Sequence, residues 1–552
     1  MSLVLVIAGC GRPSPTDTPS PSSVADSGPS SSSGGGTVEI GLSPAYGDTL
    51  IESYIADAVV LNPVLLCDVP SRQVVSLIFN GLVREGGYLK LTADLAATWE
   101  VLDSGREILF HLRDGVRWHD GHPFSAEDVV FTWQKIMDPA TVGYERCNFS
   151  SVETMEIIDP LTVRVKYGKP FAPALYCWTI GIIPAHIFRG ETDINTSRYN
   201  RAPVGTGPFR FANWAPHEQI ILEANEDYFN GRPYFSRYIY RVIPDPSMAF
   251  LSLTRGDIDL VELTPDQYVK QASSKEFLSR FNVFRCNSRL YTYLGFNLIN
   301  PLFQDPNIRL ALTMATDRKR IIDEILYGFG APLTGPFPPS FWAYNQEIEP
   351  YPYDPEKARQ LLKKSGWTDS DGDGVLDRDG HRLEFRLSTN NGNEMRRLAS
   401  TLIRDLWAEI GVRVILDFVE WSVLMDLCDY KSFDALILGW SNDGDPDPFA
   451  RFHSSEIPDK AAGKVADNFC SYVNPEADEL LESGRTSFDF EKRKEIYHRF
   501  HSIVHQDMPY IFLFSQNRLI AVHNRIHGIN VAPSGIRWNL EKWYTPQQMQ
   551  KY

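Results

Sequence analysis

The sequence predicts an α/β protein of several domains, and three observations lead there. Short apolar runs with the period of strands alternate with amphipathic helical patterns along the whole chain. At 552 residues the chain is too long for one hydrophobic core, so roughly three to four domain-sized units are expected. With 43% hydrophobic and 22% charged residues the composition is that of an ordinary globular protein, which excludes a wholly disordered, collagen-like or coiled-coil chain. The formal charge of −16 makes the surface a poor general partner for nucleic acid or anionic membrane. Aromatic residues, at 12%, favour sites where an apolar wall meets a polar ligand.

The first element is Met1–Cys10. Its apolar part runs only from Leu3 to Gly9 and has no basic residue before it, and no run of 18 apolar residues follows anywhere. The ending Ile7-Ala8-Gly9-Cys10 resembles a bacterial lipobox, in which Cys10 is lipidated; a chance apolar N-terminus is the alternative. Residues 11–36 hold 21 Gly, Pro, Ser or Thr among 26 positions, too little apolar surface to fold, and read as a disordered tether. Behind it, six cysteines remain, and none forms a CxxC pair. Disulfides Cys147–Cys177 and Cys428–Cys470 are one expectation for an exported chain, and buried free thiols are the other.

Helix signals come next. Ser125-Ala126-Glu127-Asp128 is a capping box before Val129, Val130, Trp133, Ile136 and Met137. Asp354-Pro355 sets an N-cap and a first helical residue, with Ala358, Leu361 and Leu362 behind and a stop near Gly366. Met395, Leu398, Leu402, Leu406 and Ile410 form a stripe that ends at Gly411. Strands are expected at residues 108–112, 161–165, 219–222, 238–243, 412–416 and 435–438.

Catalytic signatures are scarce: HExxH, GxSxG, GxxxxGK[ST] and GxGxxG are all absent. Gly205-Thr206-Gly207-Pro208 reads as a turn into a strand, because Pro208 lacks an amide donor. His498, His501 and His505 read as a solvated or capping helix face, with His501 and His505 at the spacing of two metal ligands. His119 and His122 flank an Asp-Gly turn. Asp369, Asp371, Asp373 and Asp377, with Gly374 at position 6, match most of a calcium loop but lack the glutamate at position 12. An unliganded acidic turn and a weak structural calcium site are both open. Gly439-Trp440-Ser441-Asn442-Asp443 ends an apolar strand in a loop of acids and prolines. A Trp beside carboxylates suits an ammonium against an apolar wall.

Several segments together resemble the extracellular solute-binding proteins of family 5, the peptide-binding subunits of ABC importers. They are Leu61-Asn62-Pro63 with Leu77–Leu82, Leu112–Gly121 ("LRDGVRWHDG") with Ser125–Val129, Val204–Phe209, Gly295-Phe296-Asn297, Asp305–Ala315 with Asp317-Arg318, the DGDG turn and Gly439-Trp440. The resemblance covers about residues 37–545. It implies a type II periplasmic-binding-protein clamshell of two lobes with an extra third domain. Domain I takes 37–79, 202–303 and 510–552, domain II takes 80–201 and domain III takes 304–509. By similarity Asp443 receives a ligand's α-ammonium, Trp440 and Trp421 wall the pocket, and Asp68-Val69 meets the ligand backbone. Asp445 and Asp447 add to a site for a positive group. Ile437 and Met395, near the position where some members carry a cation for a peptide's C-terminus, are not basic. Arg396 or Arg397 could substitute. The resemblance implies a non-enzymatic, monomeric, lipid-anchored protein outside the cytoplasm, with no required cofactor. Its implied partners are a permease and an ATPase, and nucleic acid is not among them. A sugar, opine or metal chelate is the alternative ligand, and an exported hydrolase resting on His501/His505 is the remote one.

Overall fold

A computed structural model describes residues 42–552 apart from Cys67, Tyr144, Asp443, Val465 and the side chain of Cys147. The expectations for Cys10, for the 11–36 tether and for Asp443 therefore lie outside the described residues, as do the side chain of Cys147 and with it the Cys147–Cys177 pairing. No helix among the described residues is long and apolar enough to cross a membrane.

β1 (Thr49–Tyr54) is followed by a helix, Val69–Ile78, and a small hairpin of β2 (Val83–Glu85) and β3 (Leu91–Ala93). β4 (Ala96–Leu102), β5 (Glu107–Leu112), β6 (Val152–Asp159) and β7 (Thr162–Tyr167) make a separate antiparallel sheet in the order β4-β5-β7-β6. The helix Ala126–Met137 lies between β5 and β6 and starts on the expected capping box, with Ser125 and Asp128 each satisfying the other's backbone.

The main sheet gathers the rest. Its strands are β8 (Phe209–Ala215), β9 (Gln219–Ala224), β10 (Arg237–Val242), β11 (Leu260–Leu263), β12 (Phe281–Asn287), β13 (Leu290–Phe296) and β14 (Gly330–Pro332). After a two-residue hairpin, β15 (Asp377–Arg378) and β16 (His381–Arg382), come β17 (Glu384–Asn390), β18 (Arg413–Val419), β19 (Ala435–Ser441) and β20 (Tyr510–His523). The order is β18-β17-β19-β13-β20-β11-β1-β10-β9-β8, with β12 and β14 also paired to β20.

β20 is the spine. Its first half, from Tyr510, pairs with β13 and β14, and its second half, to His523, pairs with β12 and β11. Among the described residues, only this strand and the β12–β13 connection carry the sheet from one half to the other. At the change-over Gln516, Asn517 and Arg518 are half-buried, while both ends of the strand are core. A sheet narrowed to two strands between two cores is a place where rotation disturbs little packing.

The cores divide accordingly. One large cluster joins Leu50, Phe209, Tyr238 and Leu260 to the 80–200 segment through Leu82, Phe110 and Trp178. A second packs Leu294, Ile403, Trp407 and Ile437, and a third, aromatic-rich, packs Tyr291, Tyr293, Phe452, Tyr497 and Tyr510.

One helix face departs from expectation. In Glu394–Ala408 the buried residues are Ala399, Ser400, Ile403, Leu406 and Trp407, whereas Leu398 of the expected stripe is 39% exposed. Trp407 is the reason: its indole Nε1 donates to the Leu312 carbonyl and Thr316 Oγ1 (3.1 Å each), which rotates the helix toward that side. The expected Cys428–Cys470 disulfide is also corrected, because both are buried free thiols and burial pushes Cys428 up to about 12.

Candidate functional site

β19 builds the site. Ala435–Leu438 are buried on both faces, with Ala435 and Ile437 in one core and Leu436 and Leu438 in the aromatic one. Beyond Leu438 the strand outruns its cover, so Gly439, Trp440 and Ser441 are half-buried. The Trp440 ring stacks on Phe469 (5.5 Å) and Tyr293 (6.4 Å), and the Arg451 guanidinium lies 4.9 Å from its centre. Trp440 is thus a fixed wall. Trp421 opens the helix Trp421–Asp429 and is 53% exposed, with no ring stacked on it among the described residues.

Gly439 has a steric role. A Cβ there would sit 2.9 Å from the Tyr291 carbonyl and 3.0 Å from Nη2 of Arg396. The missing side chain lets the Arg396 guanidinium lie against the strand. Arg396 donates to Asn390 Oδ1 (3.0 Å), and no carboxylate pairs with it among the described residues. Burial pulls its pKa below the ordinary arginine value, the mark of a cation short of counter-charge. Arg397 does the opposite, lying outside on Glu394 (2.7 and 2.5 Å). Of the two arginines flagged from sequence, only Arg396 faces the end of β19.

The acidic loop after β19 is mostly neutralised, which corrects the expectation for two of its three acids. Arg493 holds Asp445 bidentately (2.5 and 2.6 Å) in a buried pair, and Arg485 Nε donates to Asp447 (2.7 Å). Burial raises the Asp445 carboxyl above the ordinary carboxylate range, and the Arg493 charge offsets only part of that rise. These pairs pin the loop and leave neither acid for a ligand. Asn442 is pinned as well, donating to the Pro336 carbonyl (3.0 Å). Sequence reasoning missed both arginines, since nothing in spacing links residue 445 to residue 493.

Asp68 caps the helix Val69–Ile78 by accepting from Ser71 N (2.7 Å) and Ser71 Oγ (2.6 Å), and Val69 is exposed at the first turn. The histidines are structural. His501 is fully buried, bonded to Thr334 Oγ1 (3.0 Å) and accepting from Asn345 N (3.1 Å), and burial pushes it down to about 3. His505 Nδ1 meets the Thr334 carbonyl (2.9 Å) and His498 the Trp342 carbonyl (3.1 Å). The face, expected to be solvated or capping, fastens residues 334–345, and both ring nitrogens of His501 are taken up in doing so. His119 locks the Gly205–Gly207 turn through Nε2 to the Gly207 carbonyl (3.0 Å) and Nδ1 from Gly205 N (3.2 Å). Burial pushes it down to about 4.

In the acidic turn, ligand atoms of Asp369, Asp371 and Asp373 lie within 4.8 Å of one another. Arg382 supplies counter-charge to Asp373 and, at 3.5 Å, to Asp371. Asp377 is not part of the trio and accepts from Ser370 N (2.9 Å) and Oγ (2.8 Å).

Residues 90–461 match the family described as bacterial extracellular solute-binding proteins, family 5. The chain belongs to this family. The oligopeptide-binding protein AppA of Bacillus subtilis is 32% identical over 91% of this chain and 92% of its own length. Its solved structure, in complex with a nonapeptide, matches with a TM-score of 0.74 over 91% of this chain and 100% of that one. NikZ from Campylobacter jejuni, in complex with Ni(L-His), is 29% identical with a TM-score of 0.76, covering 90% and 99%. DppA from Helicobacter pylori, in complex with the peptide STSA, is 25% identical with a TM-score of 0.73, covering 91% and 99%. The fold is therefore the type II periplasmic-binding-protein fold of family 5, whose members are solute-binding proteins.

Proposed function

We propose that this chain is the substrate-binding subunit of an ABC importer, capturing short peptides outside the cytoplasm by closure of two lobes. The observation that carries the reading is Arg396: a partly desolvated guanidinium without a carboxylate among the described residues, lying against Gly439, the residue before Trp440 and four before Asp443 in sequence. A cation in that state suits a ligand carboxylate, and Asp443, by resemblance, suits the α-ammonium. Between them the ligand's amides pair with backbone, which accepts many sequences. AppA and DppA were solved with peptides, which supports the class.

Closure is a population shift, because only the closed form touches ligand from both lobes. In this reading Cys10 is lipid-anchored, residues 11–36 are the tether, and 37–79, 202–303 and 510–552 form one lobe with 80–201 beside it. Residues 304–509 form the other lobe. The protein acts as a monomer without catalysis or cofactor, delivering to a permease and its ATPase. The acidic turn at Asp369–Asp373 has no part in capture.

The test is a thermal-shift screen of di- to hexapeptides, in which some raise the midpoint. Asp443→Asn removes most of the rise for free peptides. No response anywhere in the panel ends the peptide reading. A second reading, a metal–amino-acid chelate, is favoured by one observation: NikZ was solved with Ni(L-His), and such a chelate also presents a carboxylate.

A further inference from the structure

The hairpin β2–β3 carries an anomaly. Leu89, at its tip, holds φ +59°, a left-handed conformation that costs a non-glycine residue energy, yet its side chain is only 4% exposed. It is buried in the third core, with Tyr291, Tyr293, Phe337 and Tyr510, and among the described residues it is the only member of that core that precedes residue 290. The buried hydrophobics on either side of Leu89 in sequence, Leu82, Val83, Leu95 and Ala96 among them, pack into the first core instead. The hairpin thus roots in one lobe and plugs into the other.

Four further contacts follow the same seam. Tyr176 Oη donates to the Leu89 carbonyl (2.8 Å) and so holds the strained tip. Arg289 pairs with Glu85 at the base of the hairpin. Ala172 N donates to the Arg485 carbonyl (2.6 Å), and the Phe488 ring covers Gly105 so closely that a Cβ there would lie 2.0 Å from it. Part of the seam adjoins the β19 loop: the Arg289 carbonyl, in the β12–β13 link, accepts from Asn442 N (3.1 Å), and Arg485 also holds Asp447.

We infer that this seam is a closure latch: Leu89 plugs the aromatic core of the far lobe and, with Phe488 over Gly105, holds the clamshell shut and sets how slowly ligand leaves. This rests on the proposed reading for the ligand but not for the motion. Opening about β20 must withdraw Leu89 and expose its socket; closing buries it again.

The experiment pairs Leu89→Asp with Phe488→Ala, two variants at separate points of the seam. Small-angle scattering of ligand-free protein and stopped-flow release of trialanine are measured, with the melting midpoint as a control. The expected result is a larger scattering radius for both variants, release about tenfold faster for Leu89→Asp, and a melting midpoint close to wild type. Unchanged radius together with unchanged release in both variants overturns the latch. If trialanine fails to bind the wild type, the peptide reading falls while the scattering comparison still decides the latch.

Discussion

Arg396→Met is the most informative single change, because it removes a charge and keeps most of the volume. Arg396 has one side-chain acceptor, Asn390, at 3.0 Å, and no carboxylate among the described residues. Losing it breaks little within the protein and leaves a bound ligand's carboxylate facing β19 unpaired. Removing one partner of a buried charge pair costs about 2–5 kcal/mol, and the half-buried position puts the effect at the lower end, about 2–3 kcal/mol. That is about 30- to 150-fold in Kd. Titration calorimetry with a tripeptide and with its C-terminal amide makes the assignment specific. Wild type binds the acid more tightly than the amide by that factor, and the variant binds both alike. A variant that still prefers the acid by the wild-type factor refutes the role of Arg396.

Two predictions concern stability. Asp94 is buried with both oxygens accepting from Asn80 Nδ2 (3.0 Å each), and burial pushes it up to about 7. A carboxyl raised in the folded state stabilises below its unfolded pKa, so stability falls as pH rises from about 4 through about 7, by at most about 4 kcal/mol. Urea melts across that window show the fall in wild type and a flatter profile in Asp94→Asn; parallel profiles contradict it. Arg493→Met strands the buried Asp445 carboxylate and costs about 3–5 kcal/mol, seen as a lower melting midpoint. Arg493→Met with Asp445→Asn recovers part of the loss, and no recovery would deny that the pair is what matters.

Much of the architecture was legible because it depends on local chemistry. The capping box at Ser125, the Asp354-Pro355 helix start and the apolar run at 435–438 each carry their own cause in adjacent residues. What was not legible is set by distant packing. Trp407 turned its helix by finding acceptors at Leu312 and Thr316. His501 looked like a solvated face because the loop it fastens lies some 160 residues earlier in sequence. The loop acids looked available because their arginine partners, Arg485 and Arg493, come from helices with no pattern linking them to β19. Leu89 gave no signal at all, since one leucine at a hairpin tip reads as ordinary. Trp440 and Arg396 were visible as candidates, but only Gly439's closeness to the guanidinium separates Arg396 from Arg397.

Mass spectrometry of whatever is released when freshly purified protein is denatured tests the central claim most directly. Short peptides with free termini, enriched over a mock purification and lost in Arg396→Met, are the predicted result. A sugar, or a metal chelate without peptide, released in stoichiometric amount would contradict it.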